Sequence, residues 1–85
     1  MLSFFKTRYC LILTPPIKYK INFIKAYRKI TGMSLKDSKS IMDYMERTPN
    51  QRYDLLGDLS KKEATEYVQL FRFYKVTEVK MEKEN

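Results

Sequence analysis

The chain has no histidine and a single cysteine, Cys10. Without histidine there is no Ser-His or Cys-His nucleophile pair, and the commonest metal ligand is missing. One thiol is too little for a structural zinc site of the usual kind. Catalysis by carboxylates alone needs paired acids. Here the Asp and Glu residues are scattered and mostly stand beside Lys or Arg, the pattern of a solvated face. No enzyme, metal or cofactor is expected. Cys10 lies in the apolar run Tyr9-Cys10-Leu11-Ile12-Leu13, where a free cysteine behaves as a small buried hydrophobe. It has no partner for an internal disulfide, which suits a reducing compartment.

What chemistry remains belongs to basic residues beside aliphatic ones. The stretch from Lys20 to Lys39 reads K-I-N-F-I-K-A-Y-R-K-I-T-G-M-S-L-K-D-S-K. On a wheel of about 100° per residue, Phe23, Ala26, Tyr27 and Ile30 share one arc and form a core stripe. Ile21 and Ile24 fall outside it, among Lys20, Lys25 and Arg28, and both are predicted to be solvent-accessible. Lys36 and Lys39 fall off the apolar stripe of the next helix. An apolar spot framed by Lys and Arg fits a docking surface for another macromolecule. The candidate partner-binding residues are therefore Lys20, Ile21, Ile24, Lys25, Arg28, Lys36 and Lys39. Charge supports the same half of the chain. Residues 1–45 hold 9 Lys/Arg against 2 Asp/Glu, whereas residues 46–85 hold 8 of each. The whole excess of +7 belongs to the half that contains the first two helices, which points to an acidic protein or a nucleic acid. Phosphates would need only the charges, with steep salt dependence, whereas a protein would use the isoleucines as well. No recognised nucleic-acid motif is present, and the aromatic residues fall on core stripes.

These residues need elements to hold them. Residues 8–14 are rich in β-formers and end at Thr14-Pro15-Pro16, which predicts a first strand. A helix follows over 19–31, stopped by Gly32 in the position that favours a left-handed residue. Ser34, with Asp37 three residues on, caps a second helix over 34–46. Its buried stripe is Leu35, Ser38, Ile41, Met42 and Met45. Tyr53, Leu55 and Leu56 suggest a brief strand before Gly57. Ser60-Lys61-Lys62-Glu63 is a capping box for a third helix over 60–74, with Ala64, Tyr67, Leu70, Phe71 and Tyr74 inward. Alternation from Val76 to Met81 predicts a last strand over 75–81, and residues 82–85 should fray. The 85 residues suffice for one domain spanning 1–85. The expected fold is α+β, a small antiparallel sheet with three helices packed on one face. No apolar run approaches the length of about 20 residues needed to span a membrane. The N-terminal residues 1–8 are too short and too charged for a signal peptide, so a cytoplasmic protein is expected.

The segment I-K-A-Y-R-K-I-T-G-M-S-L-K-D-S-K resembles the C-terminal globular domain of the bacterial ribosomal stalk protein, which carries I-K-A-V-R-x-x-T-G-L-G-L-K-E-A-K at this place. The similarity runs back through Tyr9–Leu13 and resumes at Ser60-Lys-Lys-Glu-Ala64, so that it covers most of 9–81. The resemblance implies a stand-alone, non-catalytic relative of a domain that touches translational GTPases such as the elongation factors through its first two helices. The positions that match are Lys20, Ile24, Lys25, Arg28 and Lys39, with Ile21 and Lys36 nearby. Several departures mark this chain. Ser34 replaces a glycine, Pro15-Pro16 replaces a small-residue loop, the 44–59 loop is longer, and the glycine before the last strand is absent. The family's N-terminal dimerisation helices and hinge are also expected to be missing. The Clp protease adaptor is related in fold and comes second. It needs acidic residues near the first strand, where Thr14-Pro15-Pro16 stands here. Two further readings use the same basic face: a small nucleic-acid-binding protein, or an adaptor or inhibitor of a host machine. The Lys/Ile/Asn/Tyr-rich composition suits an AT-rich genome such as a phage's.

Overall fold

The computed structural model describes residues 7–84. The expectation about a signal peptide in the first residues falls mainly outside that range. Six elements follow one another: β1 (Tyr9–Leu13), α1 (Lys20–Thr31), α2 (Leu35–Glu46), β2 (Tyr53–Leu59), α3 (Lys61–Phe73) and β3 (Val79–Lys83). The strands form one antiparallel sheet in the order β2-β1-β3. This is the α+β architecture that the pattern predicts. α3 packs on all three strands, α1 packs on α3, and α2 packs on α1.

Local chemistry explains the boundaries. Gly32 adopts φ 75° and its N–H donates to the Arg28 carbonyl at 2.8 Å, closing α1. The Ser34 hydroxyl accepts from the Asp37 N–H at 3.1 Å and opens α2. Ser60 and Glu63 make the full reciprocal capping box of α3. Phe23 stacks on Tyr27 at 5.3 Å and on Phe71 at 5.7 Å, which ties α1 to α3. Leu11, Leu13, Phe23, Phe71, Val76 and Val79 are fully buried around that stack.

The ends of two strands differ from the pattern. The last strand starts at Val79, not 75, and runs to Lys83. α3 closes with Lys75 at φ 66°, whose N–H donates to the Arg72 carbonyl, while the Val76 N–H donates to that of Phe71 at 2.9 Å. That is a Schellman turn, and Val76 is its buried apolar partner. A buried residue in a helix stop thus imitated the first position of a strand. Nor do residues 82–84 fray. Glu82 and Lys83 lie in the ladder, and the Glu84 N–H donates to the Arg8 carbonyl at 2.8 Å. Asn85 lies outside the described residues. β2 is longer than expected and irregular, with two register shifts against β1 that fall near Leu55 and Gly57-Asp58.

Candidate functional site

The segment before α1 is fastened at three points. The Ile17 N–H donates to Glu46 Oε1 at 2.8 Å, the Lys18 N–H to Glu78 Oε2 at 3.1 Å, and the Asn50 N–H to the Pro15 carbonyl at 2.9 Å. Pro15 and Ile17 are buried. The start of α1 is therefore set by contacts to α2, to the loop after it and to the approach to β3.

On α1, Ile21, Lys25 and Arg28 stand at i, i+4 and i+7, one outward stripe. Ile21 is 69% exposed, and Lys20, Lys25 and Arg28 are exposed beside it. Arg28 Nε donates to the Met33 carbonyl at 3.1 Å, which holds the guanidinium at the α1–α2 corner. Lys36 and Lys39 are exposed on α2. Among the described residues the ion pairs are Arg8–Asp58, Arg52–Asp54 and Arg52–Glu82, all on the sheet. The cations of α1 and α2 are in none of them, so their field is open to a partner.

Ile24 requires a correction. It is only 8% exposed and belongs to the core, where the wheel predicts an accessible side chain. α1 packs on both α3 and α2, so its buried arc is wider than a single-sided stripe and takes in Ile24 at one edge. Ile24 supports the face from beneath, and Ile21 is its accessible apolar residue. Leu35 departs in the other direction. Expected in the α2 core, it is 55% exposed. It is the first residue of α2 and lies beside Lys36 and one turn from Lys39, adding apolar area to that end. Two residues went unnoticed in the sequence. Lys18 Nζ lies 5.4 Å from the Tyr19 ring centroid, and Lys18, Tyr19, Lys20, Ile21 and Asn22 line a shallow depression. Their signal was weak because they precede the periodic segment.

The other face of the sheet carries Cys10 near Arg52, Asp54, Glu82 and Glu84. Burial, followed by the nearby Asp54, Glu84 and Glu82 carboxylates, pushes the thiol pKa up, which makes Cys10 a poor nucleophile. Among the described residues no group of His, Cys, Asp and Glu could hold a metal ion. None of their helices is long and apolar enough to cross a membrane.

Fold and surface together define a small α+β domain whose first two helices carry basic side chains in no ion pair among the described residues. In sequence, 38 residues covering 45% of the chain are 47% identical to large ribosomal subunit protein bL12 of Carboxydothermus hydrogenoformans. This similarity supports a relationship to the C-terminal-domain type of the ribosomal stalk protein. The match spans 30% of that relative's length. No protein-family model matches the chain.

Proposed function

We propose that the chain is a non-catalytic binding module that docks an acidic protein, a translational GTPase in the first instance, through Lys20, Ile21, Lys25, Arg28, Lys36 and Lys39, with Ile24 as the support beneath. One observation carries the reading. Ile21 stands exposed on the same stripe as Lys25 and Arg28, which gives the face an apolar centre with a cationic rim. That is the composition of a protein interface, where desolvated apolar contacts hold the complex and charges steer it. Phosphate binding alone gives no use for an exposed isoleucine. The relationship to the stalk protein makes a translation factor the leading partner and the cytoplasm the leading compartment.

The test is titration of the purified protein into a labelled bacterial elongation factor, with Ile21→Ala and Lys25→Glu variants and an RNA competitor. Loss of binding with either variant, and no displacement by RNA, supports docking to the factor. If Lys25→Glu abolishes binding, Ile21→Ala leaves it unchanged and RNA displaces the factor, the face is a nucleic-acid surface instead.

A further inference from the structure

The two edges of the sheet are unlike each other. β2 is broken by two register shifts, and Asp58 in it adopts φ 56°. Bulges of this kind blunt an edge against further pairing. β3 pairs with β1 in unbroken register from Lys83 opposite Tyr9 to Val79 opposite Leu13. Among the described residues its other edge has no strand beside it.

The direction of its backbone groups follows from one bond. The Glu84 N–H donates to the Arg8 carbonyl, which makes 84 and 8 a hydrogen-bonded pair. Antiparallel ladders alternate, so Glu82 and Lys80 also turn their N–H and C=O groups toward β1. Val79, Met81 and Lys83 turn theirs outward, to the open edge. Three consecutive outward residues offer three donors and three acceptors on a straight, unbulged strand.

We infer that this edge pairs with a second copy of itself, β3 against β3 antiparallel about a two-fold axis at Met81, to give a six-stranded sheet. The register is set by charge. With Met81 opposite Met81 of the second copy, Val79 faces Lys83, and Lys80 faces Glu82 twice over. Shifting the sum of paired numbers by two in either direction sets Lys80 against Lys80 or Glu82 against Glu82. Opposite charges directly across a ladder stabilise it and like charges destabilise it. Lysines ordinarily protect an edge, but here the acid two residues away makes the pattern self-complementary. The same register brings the outward groups of Val79, Met81 and Lys83 into hydrogen-bonded pairs, as a symmetric antiparallel ladder requires. It also joins two apolar grooves. Beside β3, a cleft of about 330 Å³ is lined by Thr65, Val68, Gln69, Arg72, Lys80 and Met81, and the half-buried Met81 side chain lies in it. A two-fold at Met81 sets the two clefts side by side, so that Met81 of each copy covers the other.

The test is sedimentation equilibrium of the full chain between about 5 and 500 µM, with folding checked by circular dichroism. A concentration-dependent dimer is expected. Lys80→Glu replaces two attractive pairs by two repulsive ones, so it should weaken the dimer about ten-fold or more; Glu82→Lys does the same and also breaks the Arg52–Glu82 ion pair within each copy. Mixed one to one, the two variants should associate with each other, and the double variant Lys80→Glu/Glu82→Lys should dimerise like the wild type. Rescue by the mixture and by the double variant establishes the β3 register even if one single variant is poorly folded. A monomer at 500 µM, or a dimer unmoved by either charge change, overturns the inference.

Discussion

Ile21 and Ile24 stand three residues apart on one helix and have opposite surroundings. The first is open to solvent and the second is in the core. Ile24→Ala should therefore cost about 2 kcal/mol or more, the range for removing a buried aliphatic chain. Ile21→Ala should stay within about 0.5 kcal/mol. Denaturant melts of the two variants check this directly, and equal losses would mean that the face is rotated. Ser38 makes a second case. It is fully buried, and among the described residues its hydroxyl has no hydrogen-bond partner. The stalk proteins that the segment resembles carry alanine at the corresponding place. An unpaired buried hydroxyl costs about 1–3 kcal/mol, so Ser38→Ala should stabilise the protein by about 1 kcal/mol and raise the melting temperature by several degrees. Cys10 adds a pH dependence. Its thiol pKa is raised above 9.0 by burial and then by the neighbouring carboxylates. The folded protein keeps a proton that the unfolded chain has released. Its contribution is thus complete below the ordinary thiol value and is lost as pH rises through the higher folded one. Cys10→Ser should flatten that part of the alkaline stability profile, measured by urea midpoints from pH 8 to 10.

At the scale of elements, the helix stops show what sequence can specify. Gly32 and the serine caps are residue types that suit few other places, so the limits of α1, α2 and the start of α3 were legible. The end of α3 was not, because Lys75 fills a left-handed position that usually belongs to glycine. Forcing an L-residue there costs about 1–2 kcal/mol. Lys75→Gly should recover about 1 kcal/mol, seen as a higher urea midpoint at unchanged m-value, because the turn keeps both of its hydrogen bonds. A loss of stability would show that the lysine side chain itself supports the turn. The burial of Ile24 was hidden for a different reason. A wheel gives the direction of a stripe, and only tertiary packing says how many neighbours the helix has. The candidate face was legible in its basic residues and in Ile21. Lys18 and Tyr19 beside it were not, since they lie in the loop that Glu46 and Glu78 fasten, ahead of the periodic segment.

Across the whole molecule, charge and fold divide the surface. Acids and bases pair on the sheet side through Arg8, Arg52, Asp54, Asp58 and Glu82, while among the described residues the cations of α1 and α2 are in no ion pair. A partner approaching the helices thus meets an open positive field, which steers encounter more than it holds the complex. The Debye length is about 10 Å at 0.1 M salt and about 3 Å at 1 M, so added salt removes the steering first. Lys25→Ala and Lys36→Ala should slow association at low salt, and the deficit should shrink as salt rises. Ile21→Ala should instead speed dissociation, because a desolvated apolar contact sets the lifetime of such a complex, and that effect should persist at high salt. Stopped-flow binding to an elongation factor at several salt concentrations separates the two. An Ile21 effect that vanished with salt, in step with the lysines, would leave the charges alone responsible for binding.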